Sequence, residues 1–244
     1  MFKVGIHVIL ITVLSAVCLD ASTLAIVNAD NSPGAAAAQA ALLATGRFGA
    51  VDLIDAYGSS PVLGTLSGYD AVLAYSNRQL WDASGLGNVL AQYYDLGGKH
   101  LTLATYAFSG GPLEIGGAIG SGNYAALTYG GTGNVSGTLV ATVPSDPIFA
   151  NIDLAGLSYA HNVNFAHPGL ASGATLLATD GSGVDMIARS ANGVVDVNIY
   201  PGGSNSLATY QLLANTLTTP EPRFTMLVLG ALLAGFKGLR RSRS

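Results

Sequence analysis

Leu101-Thr102-Leu103-Ala104 and, upstream of it, Tyr69-Asp70-Ala71-Val72-Leu73-Ala74-Tyr75 decide the fold of this chain. Both contain short, nearly continuous apolar runs, the pattern of strands covered on both faces. Between them, Asp82 or Ser84 can cap a helix whose Leu86, Val89, Leu90, Tyr93 and Leu96 share one face, and Gly97-Gly98 ends it. Working outward toward the N-terminus, Leu24 to Val27 is another apolar run and Asn28 to Ser32 has loop chemistry. Pro33 then opens a helix through the alanines to Thr45, where Gly46 stops it. Val51 to Ile54 is a further strand. Strands alternating with helices in this way predict a parallel sheet wound on both sides.

The second half is less regular. Ser109 to Gly137 is rich in glycine and predicts loops or short, irregular strands. Leu139 to Val143 and Ala174 to Thr179 read as strands. Asp185 to Arg189 and Val194 to Tyr200 read as a hairpin, because Asn192-Gly193 between them suits a tight turn. A closing helix from Ser206 to Leu217 can turn Leu207, Tyr210, Leu213 and Leu217 toward the sheet. The expectation is one α/β domain over residues 22–219, flavodoxin-like and doubly wound, with a mostly parallel sheet, helices on both faces and a C-terminal hairpin.

Both ends of the chain carry apolar segments. Lys3 precedes the run Val4 to Val17, and the small residues Ala21 and Ser22 follow, which is the layout of a secretory signal peptide over residues 1–21. Cys18 would suit a lipoprotein, but Val17 before it is bulkier than that processing usually takes, so lipidation is the minor reading. Cys18 is the single cysteine, so cleavage after Ala21 leaves a body without a thiol. That excludes disulfides, thiolate zinc sites and a cysteine nucleophile from the mature protein.

At the other end stand Pro220-Glu221-Pro222, an apolar segment over 224–239 interrupted by Lys237, and the tail Arg240-Arg241-Ser242-Arg243. Arginines after a short apolar segment hold its end on the cytoplasmic side. The segment is shorter than the roughly 20 residues that a stable span prefers, which favours a transient anchor over a retained one. The order closely resembles the PEP-CTERM sorting signal, with Pro220, Glu221, Pro222, Arg240, Arg241 and Arg243 at its motif positions. The resemblance implies recognition by a membrane-embedded exosortase of the Gram-negative envelope and removal of the tail after export. Signal peptidase and exosortase are then the processing partners, and the destination is the envelope, the cell surface or the extracellular matrix.

Between Ser22 and Thr219, four cations (Arg47, Arg78, Lys99 and Arg189) face twelve carboxylates, a formal charge of −8. So acidic a body gives no electrostatic basis for binding nucleic acid. Only 10% of the chain is charged, and 32 glycines accompany abundant Ala, Ser, Thr and Asn. Such a surface is solvated largely by neutral hydrogen-bonding groups.

Tyr69 to Tyr75, the helix ending in Gly97-Gly98-Lys99, and Leu101 to Thr105 together resemble the central portion of the class I glutamine amidotransferase-like superfamily. Asp146-Pro147-Ile148-Phe149-Ala150-Asn151-Ile152 is similar to a segment of its trehalose-utilisation and beta-galactosidase trimerisation-domain relatives, and Asp185 to Tyr200 resembles their next unit. Catalytic members place a cysteine on the sharp turn after the strand matching Leu101 to Ala104, with a later histidine and a carboxylate. Here that turn reads Thr105-Tyr106-Ala107-Phe108-Ser109, and Tyr200-Pro201-Gly202 offers no histidine. The resemblance therefore implies a scaffold without amidohydrolase chemistry, and no enzyme activity is expected.

Other chemistry has thin support. Ala107-Phe108-Ser109-Gly110-Gly111 partly matches a serine elbow, and His161 or His167 with Asp146 or Asp153 could complete a triad, giving a serine hydrolase using Ser109 as an alternative. The plainer reading is a loop and two surface histidines. Those histidines are six apart, which suits no usual zinc spacing. Asp180-Gly181-Ser182-Gly183-Val184-Asp185 lacks the oxygen ligands and distal Glu of a calcium loop and reads as a turn. Gly120-x-Gly122-x-x-Ala125 matches a dinucleotide fingerprint in letters only. No metal or cofactor is expected.

Ligand binding has better grounds, since open parallel sheets bind beyond the carboxyl ends of their strands. Those ends would present Asn28, Asp30 and Asn31, then Ser76, Asn77 and Arg78, then Tyr106 and Ser109, groups suited to a sugar or a small anion. Arg78 could instead pair with Asp82. The leading expectation is a non-catalytic envelope or matrix protein that engages exopolysaccharide or other surface components, with a carbohydrate-binding module at the strand ends as the next reading.

Overall fold

The structure is a computed structural model that describes residues 22–30, 33–121, 123–128, 132–133, 137–159, 165–166 and 168–218. The expected signal peptide, the sorting signal with its 224–239 segment, Asn31, His161 and His167 lie outside them. The elements run β1 (Ser22–Ala29), α1 (Gly34–Ala44), β2 (Phe48–Asp55), α2 (Leu63–Leu66), β3 (Ala71–Ser76), α3 (Ala83–Asp95) and β4 (His100–Ala104). An irregular stretch follows, with α4 (Gly117–Ser121), β5 (Leu127–Thr128), β6 (Thr132–Gly133) and β7 (Leu139–Ala141). The chain then forms β8 (Phe165–Ala166), β9 (Gly169–Leu170), β10 (Thr175–Asp180), β11 (Asp185–Arg189), β12 (Val195–Val197) and α5 (Leu207–Thr218).

The main sheet has the order β2-β1-β3-β4-β12-β11-β10-β7. Its first five strands are parallel, with Ile26 beside Leu53 and Leu73, Val72 beside Leu101, and Asp196 beside Leu103. The pairings β12–β11, β11–β10 and β10–β7 are antiparallel. This is the expected mixed α/β fold, consistent with a flavodoxin-like sheet.

Alternation along each strand divides the core between two faces. Leu24, Ile26, Leu73 and Tyr75 pack with Ala38 and Leu42 of α1 and Leu213 and Leu217 of α5. Ala25, Val27, Val72, Ala74, Leu101 and Leu103 pack on the other side with Leu66 of α2 and with Leu86, Leu90 and Tyr93 of α3. Every residue of β3 is buried. Buried Thr102 keeps its hydroxyl satisfied by donating to Thr216 Oγ1 of α5 at 2.9 Å.

Asp82 caps α3 as expected, its carboxylate accepting from the Gly85 N–H at 2.8 Å. Leu96, expected on the apolar face, is 50% exposed, because the helix ends at Asp95 and Gly97 and Gly98 turn the chain away at φ 75° and 66°. Leu207 is likewise exposed at the first position of α5, while Tyr210, Leu213 and Leu217 are buried. The hairpin β11–β12 turns at Gly193. Asp180 accepts from the N–H groups of Ser182 and Val184 and from the Ser182 hydroxyl, so the acid-and-glycine stretch is the turn joining β10 to β11. Arg189 of β11 forms a two-pronged ion pair with Asp146, at 2.7 and 3.0 Å. Among the described residues no helix is long and apolar enough to cross a membrane.

Asp196, at the centre of β12, is fully buried, and one of its oxygens accepts from the N–H groups of Ala126 and Leu127, both at 2.8 Å. It pins the glycine-rich segment to the sheet. Burial pushes its carboxyl up to about 7, against the lowering pull of those two N–H groups. The folded protein therefore binds a proton more tightly than the unfolded chain, whose carboxyl keeps its ordinary 3.8. The linked stability is fully present below that ordinary value and is lost as pH rises through about 7. Urea unfolding is expected to show stability falling between pH 5 and 8 by up to about 3 kcal/mol. In Asp196→Asn that slope should flatten.

Candidate functional site

The chain passes from β1 outward to β2 and then returns to β3 on the other side of β1, so the topological crevice lies between the ends of β1 and β3. Asp30 follows β1 there, and Asn77 and Arg78 follow β3. Tyr200, just past β12, reaches across this crevice. Its hydroxyl donates to the Asp30 carboxylate and accepts from Asn77 Nδ2, the latter at 3.0 Å. Tyr75 stands edge-on to the Tyr200 ring with centroids 5.8 Å apart, and Tyr106 lies 6.3 Å away. A phenol thus fills the place where such sheets commonly admit a ligand. The Tyr75 phenol is pushed well above its usual value, first by burial and then by the charge of Asp30.

The loop that carries Tyr200 is clamped from several sides. Asn205 Nδ2 donates to the carbonyls of Tyr200 and Pro201, and the Tyr210 hydroxyl of α5 donates to the Pro201 carbonyl at 3.0 Å. Gly202 lies directly on the start of α1, where a Cβ on Gly34 would overlap the Gly202 carbonyl. Glycine at 34 is therefore what allows this approach.

The turn after β4 is sharp. Tyr106 adopts φ 73°, a left-handed conformation uncommon for a residue with a side chain, and the residue is buried, 8% exposed. Next to it, Thr105 donates to Asn198 Oδ1 at 3.1 Å, tying the ends of β4 and β12 together. Ser109 is buried, and its hydroxyl donates to the Tyr106 carbonyl at 2.9 Å. Among the described residues the only histidine is His100, at the opposite end of β4.

Arg78 does not pair with Asp82, which is engaged in capping α3. Its guanidinium lies 4.0 Å above the Tyr57 ring, and Nη2 donates to the Tyr57 hydroxyl at 3.2 Å. The residues anticipated at the strand ends thus fall into separate groups. Asn28 and Ser76 are buried within β1 and β3, Asp30 and Asn77 meet at Tyr200, Tyr106 packs beside it, Ser109 is tied to the backbone below, and Arg78 points to a neighbouring loop. Sequence reasoning missed Tyr200, Tyr75 and Tyr57 as members. The sequence places Tyr200 at the end of a hairpin strand and offers no histidine there, and that position beside the parallel half is the available signal.

Among the described residues no group of three His, Cys, Asp or Glu side chains is placed to hold a metal. No family model matches the chain, and no curated protein does. Among solved structures, the crystal structure of SMU.1228c is similar at 16% identity and a TM-score of 0.47, covering 84% of this chain and 85% of that one.

Two substitutions test the clamp. Gly34→Ala should displace the 200–203 loop and destabilise the fold by about 1–3 kcal/mol. Tyr200→Phe removes a hydrogen bond to a carboxylate and is expected to destabilise by a similar amount, roughly 1–3 kcal/mol. Denaturant midpoints measured against the parent protein check both.

Proposed function

We propose that the chain is an exported, non-catalytic protein of the cell envelope or extracellular matrix, matured by signal peptidase and exosortase, whose domain engages exopolysaccharide or another surface component. The observation that carries the non-catalytic reading is the turn after β4. Where catalytic relatives of the resembled class I glutamine amidotransferase-like scaffold need a thiolate, this chain holds the buried ring of Tyr106. The neighbouring crevice is filled by Tyr200 rather than by a base. Ser109, the candidate of the hydrolase reading, is buried and spends its proton on a backbone carbonyl.

The export half of the proposal rests on the order of features at the two ends of the chain. Lys3 with the run to Val17 fits a leader, and Pro220-Glu221-Pro222, the 224–239 segment and Arg240, Arg241 and Arg243 fit a sorting signal. The acidic, sparsely charged, glycine-rich body suits a hydrated extracellular setting and interaction through neutral polar and aromatic groups. Binding at the carboxyl ends of the strands is the form of interaction that this topology favours.

Fractionation of cells with and without the sorting protease tests this reading. Intact-mass measurement of the native product should show loss of residues 1–21 and of the tail beyond the Pro-Glu-Pro region, and release from the inner membrane only when the protease is present. A full-length product with unchanged membrane retention would count against it.

A further inference from the structure

Beside the filled crevice, the loop after β2 and the segment before α3 form a second surface. Asp55 fixes that loop, its carboxylate accepting from the N–H groups of Tyr57 at 2.8 Å and Gly58 at 3.2 Å. The Trp81 backbone N–H donates to the Ala56 carbonyl at 3.0 Å, and the Ser60 hydroxyl donates to the Asp82 backbone carbonyl at 3.3 Å, so the two segments are stitched together. On this rigid base Trp81, the one tryptophan of the chain, is 69% exposed, and Tyr57 is 44% exposed. Arg78 lies over the Tyr57 ring and is bonded to its hydroxyl, held in place before any ligand arrives.

Core packing among the described residues does not account for these two rings, which stay exposed to water. An indole left in water forgoes a large burial gain, since aromatic side chains bury 150–250 Å² each and dominate core and interface energetics. Nor, among the described residues, does Arg78 form an ion pair with a carboxylate, although Asp55 and Asp82 are close in sequence to its neighbours. Asp55 is taken up by the loop N–H groups and Asp82 by the N-terminus of α3. The guanidinium keeps donors free for a planar, bidentate acceptor.

We propose that Trp81, Tyr57 and Arg78 form a binding subsite for carboxylated sugars, uronic-acid residues of an acidic polysaccharide, with the indole stacking on a pyranose face and Arg78 taking the carboxylate. This deepens the polysaccharide reading above and rests on it. It also shifts the ligand site from the crevice, where Tyr200 sits, to the rim. The body charge of −8 repels a polyanion at long range, but that repulsion is screened within about 8–10 Å at physiological salt, whereas contact with a half-buried guanidinium is not.

Trp81 makes the test direct, because tryptophan emission of the full chain in mild detergent, excited at the red edge where tyrosine does not absorb, comes from this one residue. Oligogalacturonate should change the emission saturably, and a neutral cello-oligosaccharide of equal length should bind about tenfold more weakly, the scale of one charge-assisted pair. Arg78→Gln should erase that difference. Trp81→Ala should abolish retardation in gels containing polygalacturonate, while its thermal midpoint stays within a few degrees of the parent because the side chain is exposed. No response to oligogalacturonate, equal binding of the neutral sugar, unchanged preference in Arg78→Gln, or an identical response to acetate alone would each overturn the proposal. None of these results touches processing and export, which the fractionation experiment judges separately.

Discussion

The whole molecule depends on β1, β3 and β4 being buried on both faces. A strand with apolar side chains pointing both ways cannot sit at a water boundary, so helices must cover each side, and only a crossover connection lays parallel strands between them. That constraint sends α1 and α5 to one face and α2 and α3 to the other. It also gathers the strand ends, and therefore every polar loop that follows a parallel strand, at one rim of the sheet. The site is where it is because the core is what it is.

At that rim the protein spends its polar groups on itself. Tyr200 joins Asp30 to Asn77, Thr105 joins the ends of β4 and β12, and Ser109 closes its own turn. Networks satisfied in this way specify a single arrangement of loops. They also account for the contrast with the Tyr57, Arg78 and Trp81 surface, where large groups remain turned outward on a backbone that is equally well fixed.

Much of the fold was legible in the sequence. The apolar runs at Leu24, Ala71 and Leu101, the alanine helix closed by Gly46, the Asp82 cap and the Asn192-Gly193 turn all act through local chemistry, and each appears where that chemistry puts it. Local chemistry could not show that Leu96 and Leu207 stay in water, because periodicity continues past helix ends that the backbone does not honour. Nor could it find Tyr200 across from Asp30, 170 residues away along the chain. Asp30, Asn77 and Tyr106 were read from their positions after strands, whereas their partner emerges only when the sheet order is known. Arg78 was recognised as a scarce cation, but its partner proved to be an aromatic ring in place of a carboxylate.

The position of β12 has a temporal consequence. This strand comes near the end of the domain yet is wedged between β4 and the antiparallel ribbon, and α5, which roofs β3 and β4, comes later still. Whenever the polypeptide is delivered from its amino end, the middle of the sheet stays unfinished until β12, the last of its strands, has arrived. Pairing over such separations is slow because loop closure precedes any reward. The nascent chain therefore waits open until α5 has followed β12 into place.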